Sequence, residues 1–275
     1  MKMYSVALTN AGERLPLDVD LKVLSKKLNS LQKTFSFEVV ASIPAEVFGR
    51  PDLGGQWYFF KRLFGIIKNH RDFPRYDYFI GITHVRLTED EDSADDGNRD
   101  WFSFSDLNKV SLITLNPNIT AYNPPTKDMH QFLGFSIVAE LLCNVAKKYF
   151  YHDEVRYCLF DECIDRGNVA PALEASTICY DCHRDLKTSG VSDTILDDMR
   201  RILDWCRRTT GKRSPLYRAL VHPFTTLIIG AALGWVASAF FKSEQYLYVL
   251  ISTVAVPSVL FISYFKRANK GPNRT

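Results

Sequence analysis

Four cysteines fall within 25 residues as two pairs, Cys158-x4-Cys163 and Cys179-x2-Cys182. Thiolates separated by two to four residues can reach one ion, and a second pair completes a tetrahedral shell. Four sulfur donors select zinc, with iron as the alternative, and they leave no open position for water or substrate. The spacing therefore assigns Cys158, Cys163, Cys179 and Cys182 to a structural Zn2+ site, against the competing reading of four unrelated thiols. His152 and His183 flank the pairs and could each replace a cysteine, although the pattern favours them as neighbours of the ligands or as solvent-facing residues. Cys143 and Cys206 sit in helical apolar contexts and read as inert buried thiols.

Other chemistry is sparse. Lys187-Thr-Ser-Gly190 lacks the upstream glycine of a phosphate loop, and no GxSxG elbow occurs. Seven acids between Glu89 and Asp100 lack the ordered spacing of a calcium loop and read as a solvated segment. The basic residues lack interleaved stacking aromatics, so no nucleic-acid partner is expected. Nothing at the N-terminus resembles a signal peptide, which places the body in the cytosol, where metal-bound thiolates outnumber disulfides.

The elements that must carry these residues read as α+β. Tyr4–Leu8, Thr34–Ile43, Tyr76–Thr83, Trp101–Phe104 and Val110–Leu115 have strand composition, and the third is continuous enough to be buried on both faces. Asp18–Leu31 and Gln56–Lys68 carry apolar residues at helical spacing. His130–Tyr149 is apolar nearly all round, as a helix inside a core must be. Glu140 is the acid well inside this helix, and the expectation is that it faces solvent or pairs with a base. Asp193–Arg208 has one apolar stripe and a cap at Ser192 or Asp193, as a docking or stalk helix would.

Charge divides the chain. Residues 1–199 hold 22 Lys/Arg and 29 Asp/Glu, whereas residues 200–275 hold 12 and 2. Within the basic part, Ala219–Phe241 and Tyr246–Phe265 contain no Asp, Glu, Lys or Arg, and each is long enough to cross a bilayer as a helix. Lys242-Ser-Glu-Gln245 joins them, so a tight antiparallel hairpin is expected. Basic residues on both flanks orient it with both termini cytoplasmic, as a two-pass protein of the inner or plasma membrane. Gly230, Gly234 and Ser238 would allow close helix packing, within the hairpin or between protomers. His222 stands at the entrance of the first span. The expected domains are a metal-bearing body over 1–186, a basic stalk over 187–218, the two spans over 219–265 and a basic tail over 266–275.

The paired cysteines, and the order of elements ahead of them, resemble the archaemetzincin-like zincins, whose CX4C and CxxC pairs bind a structural zinc beyond the catalytic helix. The resemblance covers roughly residues 1–186 and implies a zincin-like mixed sheet with packed helices. Members carry HExxHxxGxxH, with three ligands for a catalytic zinc and a Glu base. Here the corresponding helix begins His130-Gln131-Phe132-Leu133-Gly134. Gln cannot take the proton and Gly cannot bind metal, so no catalytic residue carries over. The expectation is a membrane-anchored, catalytically inactive zincin-like module that binds a partner, laid out like a bacterial antiphage membrane effector with the hairpin as output. The alternatives are a divergent membrane-bound metallopeptidase using His130 and a passive anchor.

Overall fold

In the computed structural model, residues 3–208 are described except 13–14, 17, 53–56, 90–101, 117–119, 122–126, 153 and 162–167. The expected hairpin, Gly230, Gly234, Ser238, His222, the basic tail, Cys163 and most of the acidic segment lie outside the described residues.

The body is built on a mixed sheet. Its strands are β1 (Tyr4–Gly12), β2 (Phe35–Val39), β3 (Ile43–Pro44), β5 (Tyr78–Thr83), β7 (Ser103–Ser105) and β8 (Val110–Thr114). They run in the order β2-β1-β5-β8-β7, with β3 pairing the end of β1. The first four are parallel, with Leu8 opposite both Val39 and Ile80 and Ile82 opposite Ile113. β7 closes the edge antiparallel, with Phe104 opposite Leu112. Two further strands, β4 (Trp57–Phe59) and β6 (Arg86–Thr88), pair in parallel apart from this sheet.

Alternation along the strands loads both faces. Val6, Leu8, Tyr78, Ile80, Ile82 and Ile113 join one core, and Ala7, Phe79, Val110 and Leu112 join the other. The second core is covered by α2 (Ala45–Phe48) and α3 (Phe60–Lys68), through Phe48, Leu63, Phe64 and Ile67. The first is covered by α1 (Leu21–Leu31), α4 (Met129–Ala146), α5 (Val169–Ala175) and α7 (Asp193–Arg207), with α6 (Tyr180–Thr188) adding Cys182 and Leu186. Helices on both faces explain why Tyr78–Thr83 is buried at every position.

The stretch expected as one helix over Gln56–Lys68 divides in two. Trp57–Phe59 is extended and pairs with Arg86–Thr88, and the Arg86 guanidinium lies 3.9 Å from the Trp57 ring centre. That pairing overrides the helical pattern until Phe60.

By length and composition α4 is the one described helix able to cross a membrane, yet it lies inside the fold, between sheet and α7. Asp128 and Gln131 form a capping box at its start. Gly134 lets α7 close on it, because a Cβ there would stand 2.7 Å from Trp205 Cζ3 and 3.1 Å from Cys206 Sγ. The apolar stripe of α7 (Ile195, Leu196, Met199, Ile202, Leu203 and Cys206) is part of the main core, and Ser192 caps the helix. This helix, expected as a docking or stalk element, packs into the body along its apolar stripe.

Glu140 departs from expectation. It is 7% exposed, under the edge hairpin β7–β8, instead of facing solvent. Burial disfavours its charged form and moves its pKa from 4.5 to about 7, while a hydrogen bond with Ser103 acts in the opposite sense. One turn on, Asn144 accepts from Ser105 Oγ at 2.7 Å and donates to Ser111 Oγ at 2.8 Å. The Tyr149 hydroxyl donates to the Ser105 carbonyl. A polar seam therefore joins the core helix to the edge hairpin, and it accommodates a carboxyl that is neutral below about pH 7.

Candidate metal centre

After α4 two isolated parallel bridges hold the chain around the cysteines. His152 bridges to Asp161, with His152 N–H donating to the Phe160 carbonyl at 3.2 Å. Cys158 bridges to Thr177, and Leu159 N–H donates to the Thr177 carbonyl. The Asp161 carboxylate fixes the turn between them, with Oδ2 accepting from the N–H groups of Arg156 and Cys158, each at 3.0 Å. Cys179 is the N-cap of α6, so Cys182 stands three residues into the cap, on the same side of the helix start.

These local structures bring four ligand atoms together. The sulfurs of Cys158, Cys179 and Cys182 and a ring nitrogen of His152 all lie within 4.8 Å of one another. His152 Nε2 is 3.2 Å from Cys179 Sγ and 3.1 Å from Cys182 Sγ. Sulfurs bound to one tetrahedral zinc stand about 3.7 Å apart, given a Zn–S bond of about 2.3 Å, so the group needs little movement to close on the ion. Two backbone N–H groups already point at sulfur: Cys179 N–H to Cys158 Sγ at 3.3 Å, and Cys182 N–H to Cys179 Sγ at 3.5 Å. Such donors stabilise thiolate.

The electrostatics favour a cation in the same place. The Cys158 thiol is pulled down, first by a hydrogen bond from the Cys182 thiol, while burial opposes the shift. The Cys182 thiol is pushed up by that same bond and by burial. Three sulfurs this close cannot all ionise alone; a dication supplies the charge that lets them. Cys158 and Cys182 are buried, and Cys179 and His152 half-buried, so the group fits a closed structural site. Four protein donors of the Cys3His type suit zinc.

Three of the four expected ligands are thus gathered, and the fourth, Cys163, lies outside the described residues. His152, which the sequence pattern placed beside the site, supplies a ligand atom within the group. Its six-residue separation from Cys158 is outside the short pair spacings that draw attention in a sequence, and the bridge to Asp161 brings it in. His183 stands apart from the group. Burial, and after it the charges of Arg200 and Lys187, depress its pKa.

On α4, none of the residues weighed for catalysis is placed to bind a metal. His130 Nε2 accepts the Asp20 N–H at 3.0 Å, joining the start of α4 to the start of α1. Gln131 is engaged by its capping box, and Gly134 is filled against by Trp205. Cys143 and Cys206 are buried with thiols pushed up by desolvation, in keeping with inert structural roles. Glu140 offers a second register for HExxHxxGxxH. With Glu140 at the Glu position, the three ligand positions fall on Ala139, Cys143 and Tyr149. Alanine has no donor atom, the Cys143 thiol is held protonated, and the Tyr149 phenol is raised to about 12, chiefly by burial. Among the described residues, His152, Cys158, Cys179 and Cys182 are the one group that could hold a metal ion.

No protein-family model matches the chain, and no curated protein matches it. Among solved structures the chain is similar to archaemetzincin from Methanopyrus kandleri. The identity is 14% and the TM-score 0.44, over 68% of this chain and 95% of that one.

Proposed function

We propose that the body is a catalytically inactive, zincin-like binding module. In this reading a structural zinc on His152, Cys158, Cys179 and Cys182 fastens the segment after α4, and residues 219–265 anchor the protein in a bilayer as a two-helix hairpin. The observation that carries the inactive reading is the state of α4. Its one buried carboxyl, Glu140, has no metal ligand at the positions the zincin motif would use, and His130 is committed to the Asp20 backbone. The closed Cys3His donor set supports a fastening role for the metal, because it leaves no position for a reacting water. A binding role follows from a folded body without chemistry of its own, and the hairpin is then its anchor or output, as in the layout of an antiphage membrane effector.

A divergent metallopeptidase using His130 with other ligands is the second reading, with the buried Glu140 carboxyl, raised to about 7, as its candidate base. The two separate on the purified full-length chain. The binding module holds one zinc per chain, lost only on unfolding, sediments with membranes after carbonate extraction, and hydrolyses no peptide with or without added zinc. A second, exchangeable metal with peptide hydrolysis that disappears in Glu140→Gln overturns it.

A further inference from the structure

The last turn of α7 ends in carbonyls that have no partner within the helix, as every helix end does. Here they are taken by side chains from the start of α4. The buried Lys127 ammonium donates to the carbonyls of Cys206 at 2.7 Å, Arg207, and Arg208 at 3.2 Å. A cation at this place also meets the negative end of the α7 dipole. Gln131 is equally buried and works in both directions. Its Oε1 accepts the Asp128 N–H in the α4 capping box, while its Nε2 donates to the carbonyls of Trp205 at 2.9 Å and Arg208 at 2.7 Å. Gly134, one turn further, admits the Trp205 ring and Cys206.

We propose that Lys127 and Gln131 form a latch that fixes the end of α7 to the first turn of α4. The latch accounts for glutamine at 131. A glutamate would keep the capping box through its carboxylate, but it would present an anion to two carbonyls that require a donor.

The buried Cys206 thiol reports the state of the latch, since it lies in the turn that is held. The full-length chain in detergent micelles is treated with iodoacetamide, and labelling of Cys206 and Cys143 is followed separately by mass spectrometry. Gln131→Glu and Lys127→Met are each expected to label at Cys206 at least tenfold faster than the parent, with Cys143 unchanged. The double variant should be no faster than the faster single one, because one latch opens once. Cys206 remaining as protected in both variants as in the parent overturns the proposal. So does Cys143 rising by the same factor, which would show general loosening of the core.

Discussion

Replacing Glu140 by Gln removes a charge that the fold holds at a disadvantage, and the effect must depend on pH. The carboxyl has an ordinary pKa of 4.5 and one of about 7 in the folded chain, with burial as the main cause. The folded state therefore binds the proton more tightly than the unfolded state. Glu140's contribution to stability is complete below pH 4.5, falls as pH rises, and levels off above pH 7. The displacement corresponds to about 3 kcal/mol. Gln has no proton to lose, so it escapes this fall. It adds an amide donor opposite Ser103, and any cost of that donor, about 1–3 kcal/mol if it stays unpaired, is the same at every pH. The difference between parent and Glu140→Gln should therefore move in favour of the variant by about 3 kcal/mol between pH 4.5 and pH 8. Urea unfolding followed by tryptophan fluorescence at the two pH values reads it as a relative midpoint shift of about 1–3 M, for a slope of about 1–3 kcal/mol/M. Cys143 and Tyr149 feel the Glu140 charge, but burial keeps both protonated in the folded chain throughout this range, and groups remote from Glu140 cancel in the comparison. A difference that is constant with pH refutes the reasoning, as does one that moves against the variant.

Asp198 has the opposite sign. Its Oδ2 accepts from Lys33 N–H, Thr34 N–H and Thr34 Oγ1, and Arg201 reaches Oδ1, so its pKa lies below the ordinary value despite burial. Asp198→Asn should lose about 2–3 kcal/mol at pH 7 and a smaller amount once acid protonates the carboxylate, as the same unfolding experiment at pH 7 and below pH 4 will show. Gly134→Ala gains helix propensity of about 1 kcal/mol but sets a methyl group 2.7 Å from Trp205; overpacking of about 1–3 kcal/mol should prevail, giving a lower thermal midpoint. Removing metal with a strong chelator, or substituting Cys182→Ser, should expose the segment around 150–182 to protease while the β1–β5–β8 sheet keeps its amide protection. Loss of protection across the sheet would mean that the metal fastens more than that segment.

Parts of the fold could be read because one local signal governed them. Tyr78–Thr83 is uniformly apolar and is buried on both faces; α4 is apolar all round and forms the centre of the main core; Ser192 caps α7 as its sequence context suggests. Cys158, Cys179 and Cys182 were legible because paired thiols at short spacing match the ligand pattern of a zinc site. What stayed hidden depends on contacts distant in sequence. His152 reaches the sulfurs through a bridge to Asp161 that no periodicity announces. Trp57–Phe59 becomes a strand because Arg86–Thr88 lies beside it. Glu140 reads as polar and exposed on a helical wheel, yet β7 covers it and Ser103 bonds to it. Gln131 looks like a failed catalytic glutamate, and its actual partners are carbonyls more than seventy residues away.

Zinc K-edge X-ray absorption on the full-length chain bears most directly on the Cys3His centre. The expected first shell is three sulfurs at about 2.3 Å and one imidazole nitrogen at about 2.0 Å, with the nitrogen contribution lost in His152→Ala. A shell of four sulfurs that is unchanged in that variant contradicts the assignment of His152, and a light oxygen ligand from water contradicts a closed, purely structural site.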